Sequence, residues 1–470
     1  EIMPSIDGLP RLAHSVAIHD SAAAAAAMKV LSIARPAVPL ARRLEPALKP
    51  NQPTQSRAAP AIVKARLCGA IDLGTTKVAA LVAEDVGGVL RVVGAGLAPS
   101  EGMRQGVVVD IERASVCVAK AVAEAERMAG AAPKTYNVGA AGEHVRSMNS
   151  RGVVSVGSIE KEVAPEDVAR AFDAARKFSL PQDREIIHTL PQEFIVDSQR
   201  GIRQPAGMFG ARLEARVHVV TASRPALDNL AKTLQLAGVE LGDVVLEPLA
   251  SATAVLSADE REHGAIVLDL GGGTTDVLVA ADGGVLASGV IGLGGHNITS
   301  DVAYGLRTSP REAERLKVEH GCALSTLVAG DEVVQVSMVA GRGPRRVAKT
   351  VLAGIIEPRV SELFGLIDQQ ISSNGLKRSL RAGVVLTGGS SMLCGIRELA
   401  EQVFDLPARV ASPAGLEGLS EVVAHPRFST AVGLLRSLTP AVVPGERASE
   451  RGGRLASGLY TFKRAIASFI

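Results

Sequence analysis

Two short segments of this 470-residue chain end an apolar run in aspartate and continue with glycine and threonine. The first runs Asp72, Leu73, Gly74, Thr75, Thr76, Lys77; the second runs Asp269, Leu270, Gly271, Gly272, Gly273, Thr274, Thr275. Glycine lets backbone N–H groups approach an anion with no Cβ in the way, and threonine hydroxyls add donors. Two such turns facing each other can hold the β and γ phosphates of a nucleotide from both sides. Asp72 and Asp269 can then hold Mg²⁺ through its waters, because that ion gives up hydration reluctantly. Lys77 can neutralise phosphate charge. The pattern is not a P-loop, since GxxxxGK[ST] is absent. It is not a Rossmann fingerprint either, since each turn leads into a strand and not a helix.

Three weaker signals lie further along. Gly388 and Gly389 end an apolar run at 384–387, and a glycine pair there can let a flat base or ribose lie against backbone. Residues 292–295 (GLGG) are a similar candidate. Glu314 and Lys317 stand three apart on the helix expected over Pro310–His320; by spacing alone they make an ordinary surface ion pair, worth about 0.2–0.5 kcal/mol.

The elements that must position these residues repeat. AIDLGTTKVAALVAEDVGGVLRVVGAG and VLDLGGGTTDVLVAADGGVLASGVIGLG are the same strand–turn–strand–strand device, with Asp72 and Asp269 in equivalent places. In the first copy the strands are expected over 67–73, 77–84 and 89–97, the last two joined by Gly87-Gly88. A helix follows over 112–128, apolar at Val116, Ala119, Val122 and Ala123 and stopped by Gly130. Further helices are expected over 165–178, 225–236, 248–256 and 394–403, and short strands over 135–139 and 216–220.

Composition agrees with an α/β core built from Ala, Val, Leu and Ile. The chain is 47% hydrophobic and 21% charged, but holds only nine Phe, three Tyr and no Trp. Mean hydropathy is +0.21, yet no run reaches the roughly 18 apolar residues of a spanning helix. Net charge is +2, which does not point to nucleic acid. Length predicts roughly two to four domains. Cys68, Cys117, Cys322 and Cys394 form no CxxC pair and read as separate, buried, reduced thiols of a cytosolic protein.

Residues 1–64 carry an alanine run and scattered prolines without periodicity, and read as a disordered extension, with Met28 a second candidate start. Residues 441–458, rich in Gly, Ser and Arg, read as a flexible linker. The last twelve change character. Leu459, Phe462, Ile466, Phe469 and Ile470 share one helical face, flanked by Lys463 and Arg464. Such a helix suits the headgroup boundary of an anionic membrane, or a groove on the protein or a partner.

The motifs IDLGTTKVAALVAE (71–84), EGMRQGVVVDIE (101–112), HTLPQEFIVD (188–197), SDVAYGL (300–306), ERLKVEHGCAL (314–324) and VLTGG (385–389), with the terminal helix, resemble the actin/Hsp70/sugar-kinase ATPases. Within them they are most similar to the FtsA family of bacterial actin-like cell-division proteins, over residues 65–470. That resemblance implies two ribonuclease-H-like lobes with ATP and Mg²⁺ in the cleft, and at most slow hydrolysis. Lobe 1A would span 65–97 and 184–258, an inserted 1C subdomain 98–183, lobe 2A 262–298 and 378–440, and subdomain 2B 299–377. Phosphates would meet Gly74, Thr75, Thr76, Lys77 and residues Gly271 to Thr275; adenosine would meet Glu314, Lys317, Gly388 and Gly389. Glu247, beside Pro248, would orient the attacking water with Asp72 and Asp269 nearby, or merely cap a helix. Partners would be the FtsZ tail through 2B, other division proteins through 1C, further copies of the chain in filaments, and the cytoplasmic face of the inner membrane at the septum. Rival readings from the same superfamily are a small-molecule kinase and a pilus-assembly ATPase.

Overall fold

The computed structural model describes residues 65–158, 160–338 and 343–438. The readings made for 1–64, 441–458 and 459–470 lie outside the described residues. Strands β1 (Arg66–Leu73), β2 (Lys77–Val86) and β3 (Val89–Pro99) form the expected antiparallel meander. Its second turn uses Gly87 and Gly88 at φ 65 and 91, the left-handed pair that a tight hairpin demands. The hairpin β4 (Met103–Arg104) and β5 (Val107–Val108) leads to α1 (Ile111–Ala129). Asp110 caps α1 by accepting the Arg113 N–H, and Gly130 ends it at φ 68.

Helix α1 packs on β3 where Gly94 and Gly96 have no side chains. A Cβ at either would stand 2.1 or 1.9 Å from the carbonyl oxygens of Ala125 and Ala121. The buried face is therefore Ala114, Cys117, Val118, Ala121, Val122 and Ala125, while Val116 is 53% exposed. The face expected through Val116, Ala119 and Ala123 is rotated from this one, because an alanine-rich helix marks its inner side only weakly.

Next come β6 (Tyr136–Ala140), β7 (Arg146–Ser155), α2 (Pro165–Arg176), β8 (Arg184–Val196), β9 (Gln199–Ile202) and β10 (Arg212–Ser223). Then α3 (Arg224–Leu236), β11 (Leu241–Leu246), α4 (Glu247–Val255) and α5 (Ala258–His263) lead into the second lobe. Strand β6 joins β1 in parallel and β11 joins β6. Strands β7 to β10 form a separate sheet in the order β7-β10-β8-β9, with its own core of Val168, Phe172, Phe194, Leu213 and Val217 under α2. The insertion thus spans 146–223 and not 98–183. Residues 98–145 supply α1 and β6 to the first lobe, and β8 and β10 belong to the insertion. Strand pairing is non-local, so strands that look alike in sequence enter different sheets.

The second lobe repeats the first. Its meander is β12 (Ala265–Leu270), β13 (Thr275–Ala281) and β14 (Gly284–Ile291). Helices α6 (Gly295–Leu306) and α7 (Pro310–His320), hairpin β15 (Val333–Val336) and β16 (Arg345–Ala348), and α8 (Lys349–Ser373) precede β17 (Gly383–Thr387). The described residues close with α9 (Ile396–Phe404), β18 (Ala408–Val410), β19 (Glu417–Gly418), α10 (Ser420–Val423) and α11 (Ser429–Arg436). The order β14-β13-β12-β17-β18 matches β3-β2-β1-β6-β11, parallel and antiparallel pairs included. Residues 299–377 have no core of their own: Val302, Leu316, Leu352 and Phe364 pack with Ile266, Leu268 and Leu386 of the sheet.

The insertion, carried by lobe 1, docks on β14, the edge strand of lobe 2. Asn149 donates to the Leu286 carbonyl (3.0 Å), Gln192 to Val285 (2.8 Å) and the Ser147 hydroxyl to Ser288 (2.6 Å). Buried His218 sits between Asn149 Oδ1 (2.6 Å) and Ser288 Oγ (2.8 Å). Nearby, the Leu246 N–H donates to His188 Nε2 (2.9 Å). Burial holds both imidazoles at about 4, well below 6.5; the neighbouring His188 lowers His218 further.

Neutral burial of these histidines makes stability depend on pH. The unfolded chain takes up their protons near 6.5 and the fold resists until about 4. Stability is therefore complete above 6.5 and falls as pH drops toward 4, by up to about 3 kcal/mol for each histidine. His218→Gln should flatten this loss when unfolding midpoints are compared between pH 7.5 and 4.5; an equally steep loss in the variant would contradict it.

Candidate functional site

The two turns that follow β1 and β12 share one geometry. Gly74 donates its N–H to the Lys77 carbonyl and Gly271 donates to Thr274, each at 3.0 Å. They press against each other: a Cβ on Gly272 would lie 2.3 Å from Thr76 Cγ2, and one on Gly273 would lie 2.5 Å from Thr75 Oγ1. The start of α6 pins the second turn. Gly295 and His296 donate N–H groups to the carbonyls of Gly271 (2.9 Å) and Gly272 (2.7 Å), and Ser390 Oγ adds a bond to Gly271 (3.1 Å). These bonds occupy carbonyls. The N–H groups of Thr75, Thr76, Gly272 and Gly273 are donated to no backbone carbonyl among the described residues.

The turns line a cavity of about 410 Å³. It brings together Asp72, Gly74, Thr75, Thr76, Lys77, Glu247, Asp269, Gly271, Gly272, Gly273, Thr274, Glu314, Lys317, Gly388 and Gly389. Of the expected positions in the described residues, Thr275 stands outside, as do Gly292, Leu293 and Gly294 of the 292–295 candidate. The Thr275 hydroxyl, fully buried, donates to the Leu293 carbonyl at 2.8 Å and ties β13 to the end of β14.

Charge in the cavity is unbalanced. Asp72 is ion-paired with Lys77. Asp269 accepts from the hydroxyls of Ser251 and Thr430, the latter at 3.0 Å. Across the β12–β13 pair from Asp269 stands Asp276, buried, with Oδ1 unpartnered. Glu247 opens α4 without making a capping hydrogen bond; it fills the space over Gly139, where a Cβ would lie 2.6 Å from Oε1. Burial, then the charges of Asp276, Asp72 and Asp269, push the Glu247 carboxyl well above its usual range, against the pull of Lys77. Burial and the charges of Asp269 and Asp72 do the same to Asp276. Burial also raises Asp269, with Asp72 adding to it and the Ser251 and Thr430 hydroxyls opposing. Among the described residues no three acidic, histidine or cysteine side chains converge to chelate a metal directly. The donor set fits a hydrated divalent cation held through water, with the orphaned Asp276 oxygen as one acceptor.

At the other end, Lys317 uses its ammonium on Glu314 (2.8 Å), the Gly295 carbonyl (3.0 Å) and Thr299 Oγ1 (2.9 Å). The pair therefore braces α7 against α6 beside the cavity, beyond what a solvated ion pair would do. Gly388 adopts φ 84, and a Cβ there would meet Asp269 Oδ1 at 2.2 Å. A recess of about 80 Å³ opens beside it, lined by Ile298, Val318, Gly389 and Met392. Val318 and Met392 are 71% and 56% exposed, two apolar surfaces at the mouth of the recess.

Sequence reasoning missed Asp276, His296, Val318, Ser390, Met392, His425, Arg427 and Thr430, all of which line the cavity. Asp276 was findable: aligning the repeat on strand register places it opposite Asp269, where the first copy has Ala79 opposite Asp72. Residues 425–430 carry no such signal, because only the return of the chain through α11 brings them there.

Residues 266–433 match the family model described as cell division protein FtsA, and residues 142–221 match the SHS2 domain inserted in FtsA. The second match coincides with the four-stranded insertion. The chain is 43% identical over 366 residues to the cell division protein FtsA of Pseudomonas aeruginosa, covering 78% of this chain and 87% of that one. It is 37% identical over 394 residues to FtsA of Escherichia coli K12, covering 82% and 93%. Among solved structures it is similar to the PilM-PilN type IV pilus biogenesis complex, with TM-score 0.57, 16% identity, and coverage of 78% of this chain and 97% of that chain. At that identity the likeness is one of fold. With the duplicated lobes and the SHS2 insertion, it places the architecture in the two-lobed actin-like class.

The charge imbalance has a measurable consequence. A carboxyl with a raised pKa supports the fold below its unfolded value and opposes it as pH rises through the folded one. Asp276→Asn should therefore stabilise the ligand-free protein at pH 7.5, by about 0.5–2 kcal/mol, with the gain fading toward pH 4. Denaturant titration at both pH values reads this; a loss of stability at neutral pH would show that the Asp276 charge is already compensated.

Proposed function

This chain belongs to the FtsA family of cell-division proteins, and from that premise we propose that it binds ATP in the cavity, polymerises, and anchors FtsZ filaments to the cytoplasmic face of the bacterial inner membrane. The observation that carries the nucleotide reading is the pair of opposed turns with uncommitted N–H groups beside an excess of carboxylates. Thr75, Thr76, Gly272 and Gly273 offer donors to phosphate oxygens from both sides. Lys77, poised on Asp72, adds positive charge to the same place. Mg²⁺, when bound, supplies the charge that offsets phosphates and carboxylates together, held through water by Asp72 and Asp269, with Asp276 in support. The recess between Val318 and Met392 suits an adenine ring, with Glu314, Lys317, Gly388 and Gly389 around the ribose.

We assign Glu247, which lines the cavity beside these carboxylates, the water-orienting role on family resemblance. Burial and the charges of Asp276, Asp72 and Asp269 hold its carboxyl well above the usual range and Lys77 opposes them, so positive charge brought to the cavity favours its proton-accepting form. Membership of the family sets aside the small-molecule kinase and pilus-assembly readings.

The tether rests on residues outside the described part. No helix among the described residues is long and apolar enough to cross a membrane. In the sequence, Leu459, Phe462, Ile466, Phe469 and Ile470 recur at helical spacing beside Lys463 and Arg464, a pattern that suits an interfacial contact. We assign FtsZ-tail binding to 299–377 and contacts with other division proteins to the insertion, on family resemblance. Polymerisation multiplies a weak membrane contact through avidity.

Two outcomes test this. Gly273→Val drives a branched side chain into Thr75 and should weaken ATP binding at least tenfold by calorimetry, with the circular dichroism spectrum retained; undiminished binding would refute the phosphate-turn assignment. Removal of 459–470 should release the protein from anionic liposomes in co-sedimentation, and unchanged pelleting would remove the tether.

A further inference from the structure

Two of the four cysteines do not stay apart as expected. Cys68 and Cys117 lie in separate cores of the first lobe. Cys322 follows α7 and Cys394 precedes α9, and the two are paired by a parallel β-bridge. The Ala323 N–H donates to the Cys394 carbonyl at 2.7 Å, which holds the segments together. Residues facing each other across such a bridge have strand spacing of about 4.8 Å, within the roughly 4.4–6.8 Å that a disulfide spans between Cα atoms. Cys394 is exposed, and Cys322 is 2% exposed behind it.

We propose that Cys322 and Cys394 are a redox modification site that closes to a reversible disulfide under a peroxide oxidant. The order of events follows from access, since Cys394 is exposed and Cys322 is buried. Burial and the adjoining Cys394 raise the Cys322 thiol, which donates to the Leu324 carbonyl at 3.2 Å. Lys349, paired to Glu332 at 2.9 Å, places an ammonium near both sulfurs. Cys394 thus reacts first. Its thiolate attacks one peroxide oxygen, the O–O bond breaks, and a sulfenic acid and hydroxide form. The Cys322 sulfur then attacks the Cys394 sulfur, the S–O bond breaks, and water leaves with the Cys322 proton. Two thiols and one hydrogen peroxide give one disulfide and two waters, and a dithiol reverses the oxidation.

The cross-link joins the end of α7, which carries Glu314, Lys317 and Val318, to the segment after Gly388, Gly389 and Met392. These are the two walls of the recess beside the cavity. The disulfide would fix their separation. Its effect on nucleotide rests on the function proposed above; its formation does not.

The full chain, without nucleotide, is treated with hydrogen peroxide, alkylated, and mapped without reduction. Two of the four thiols should be lost into one 322–394 linked peptide, restored by dithiothreitol and absent in Cys394→Ser and Cys322→Ala. Oxidation of Cys394 to sulfinic or sulfonic acid, with Cys322 still alkylatable after unfolding, would overturn the proposal, as would a linkage through Cys68 or Cys117. ATP affinity, measured on the reduced and the oxidised protein, should differ at least threefold. A mapped disulfide with no ATP binding in either state would support the modification site and overturn the nucleotide reading.

Discussion

Four carboxylates and one ammonium meet where the two lobes touch, and the rest of the cavity is arranged around that imbalance. Asp72 and Asp269 stand at matching strand positions, Asp276 crosses from the neighbouring strand, and Glu247 opens the helix between the lobes. Lys77 answers only one of them directly. Ser251 and Thr430 solvate Asp269, and His188, held neutral by burial, fixes the backbone just before Glu247. Leaving so many acidic groups close together in a buried place costs stability. The cost makes sense where a cation and its anionic ligand complete the site.

Small residues let the elements approach closely enough to build this arrangement. Gly94 and Gly96 admit α1 against β3, and at the lobe junction a Cβ on Gly433 would lie 1.8 Å from the Ala250 carbonyl oxygen. Backbone contacts of this kind replace the bulky aromatic packing that the composition lacks. The insertion works differently. It docks through amides, hydroxyls and an imidazole on the edge carbonyls of β14, so a subdomain carried by one lobe is fastened to the other. A polar seam between two otherwise separate cores is a natural place for relative movement, because its bonds can exchange for water at modest cost.

Much of this was legible before any coordinates. The repeated strand–turn–strand units could be read because their signals are local: glycine for turns with unusual φ, β-branched residues for strands buried on both faces, aspartate at a strand end. The α1 face could not, because alanine marks the inside and outside of a helix alike. The limits of the insertion could not either, since β6 and β8 look similar and differ only in the partner each finds. Thr275 and Asp276 show the same limit at one-residue scale. Both follow the second turn, and only strand register sends one toward Leu293 and the other into the cavity.

The sequence by itself determined which groups stand near one another along the chain: two glycine–threonine turns, the aspartates that precede them, and a terminal segment with apolar residues at helical spacing. These depend on residue types within a few positions of one another. Tertiary structure decided which groups share a charge environment, so the raised pKa of Glu247, the unpartnered oxygen of Asp276 and the meeting of Cys322 with Cys394 appear only in the fold. Burial and Coulomb interactions depend on distance through space, which chain spacing does not encode.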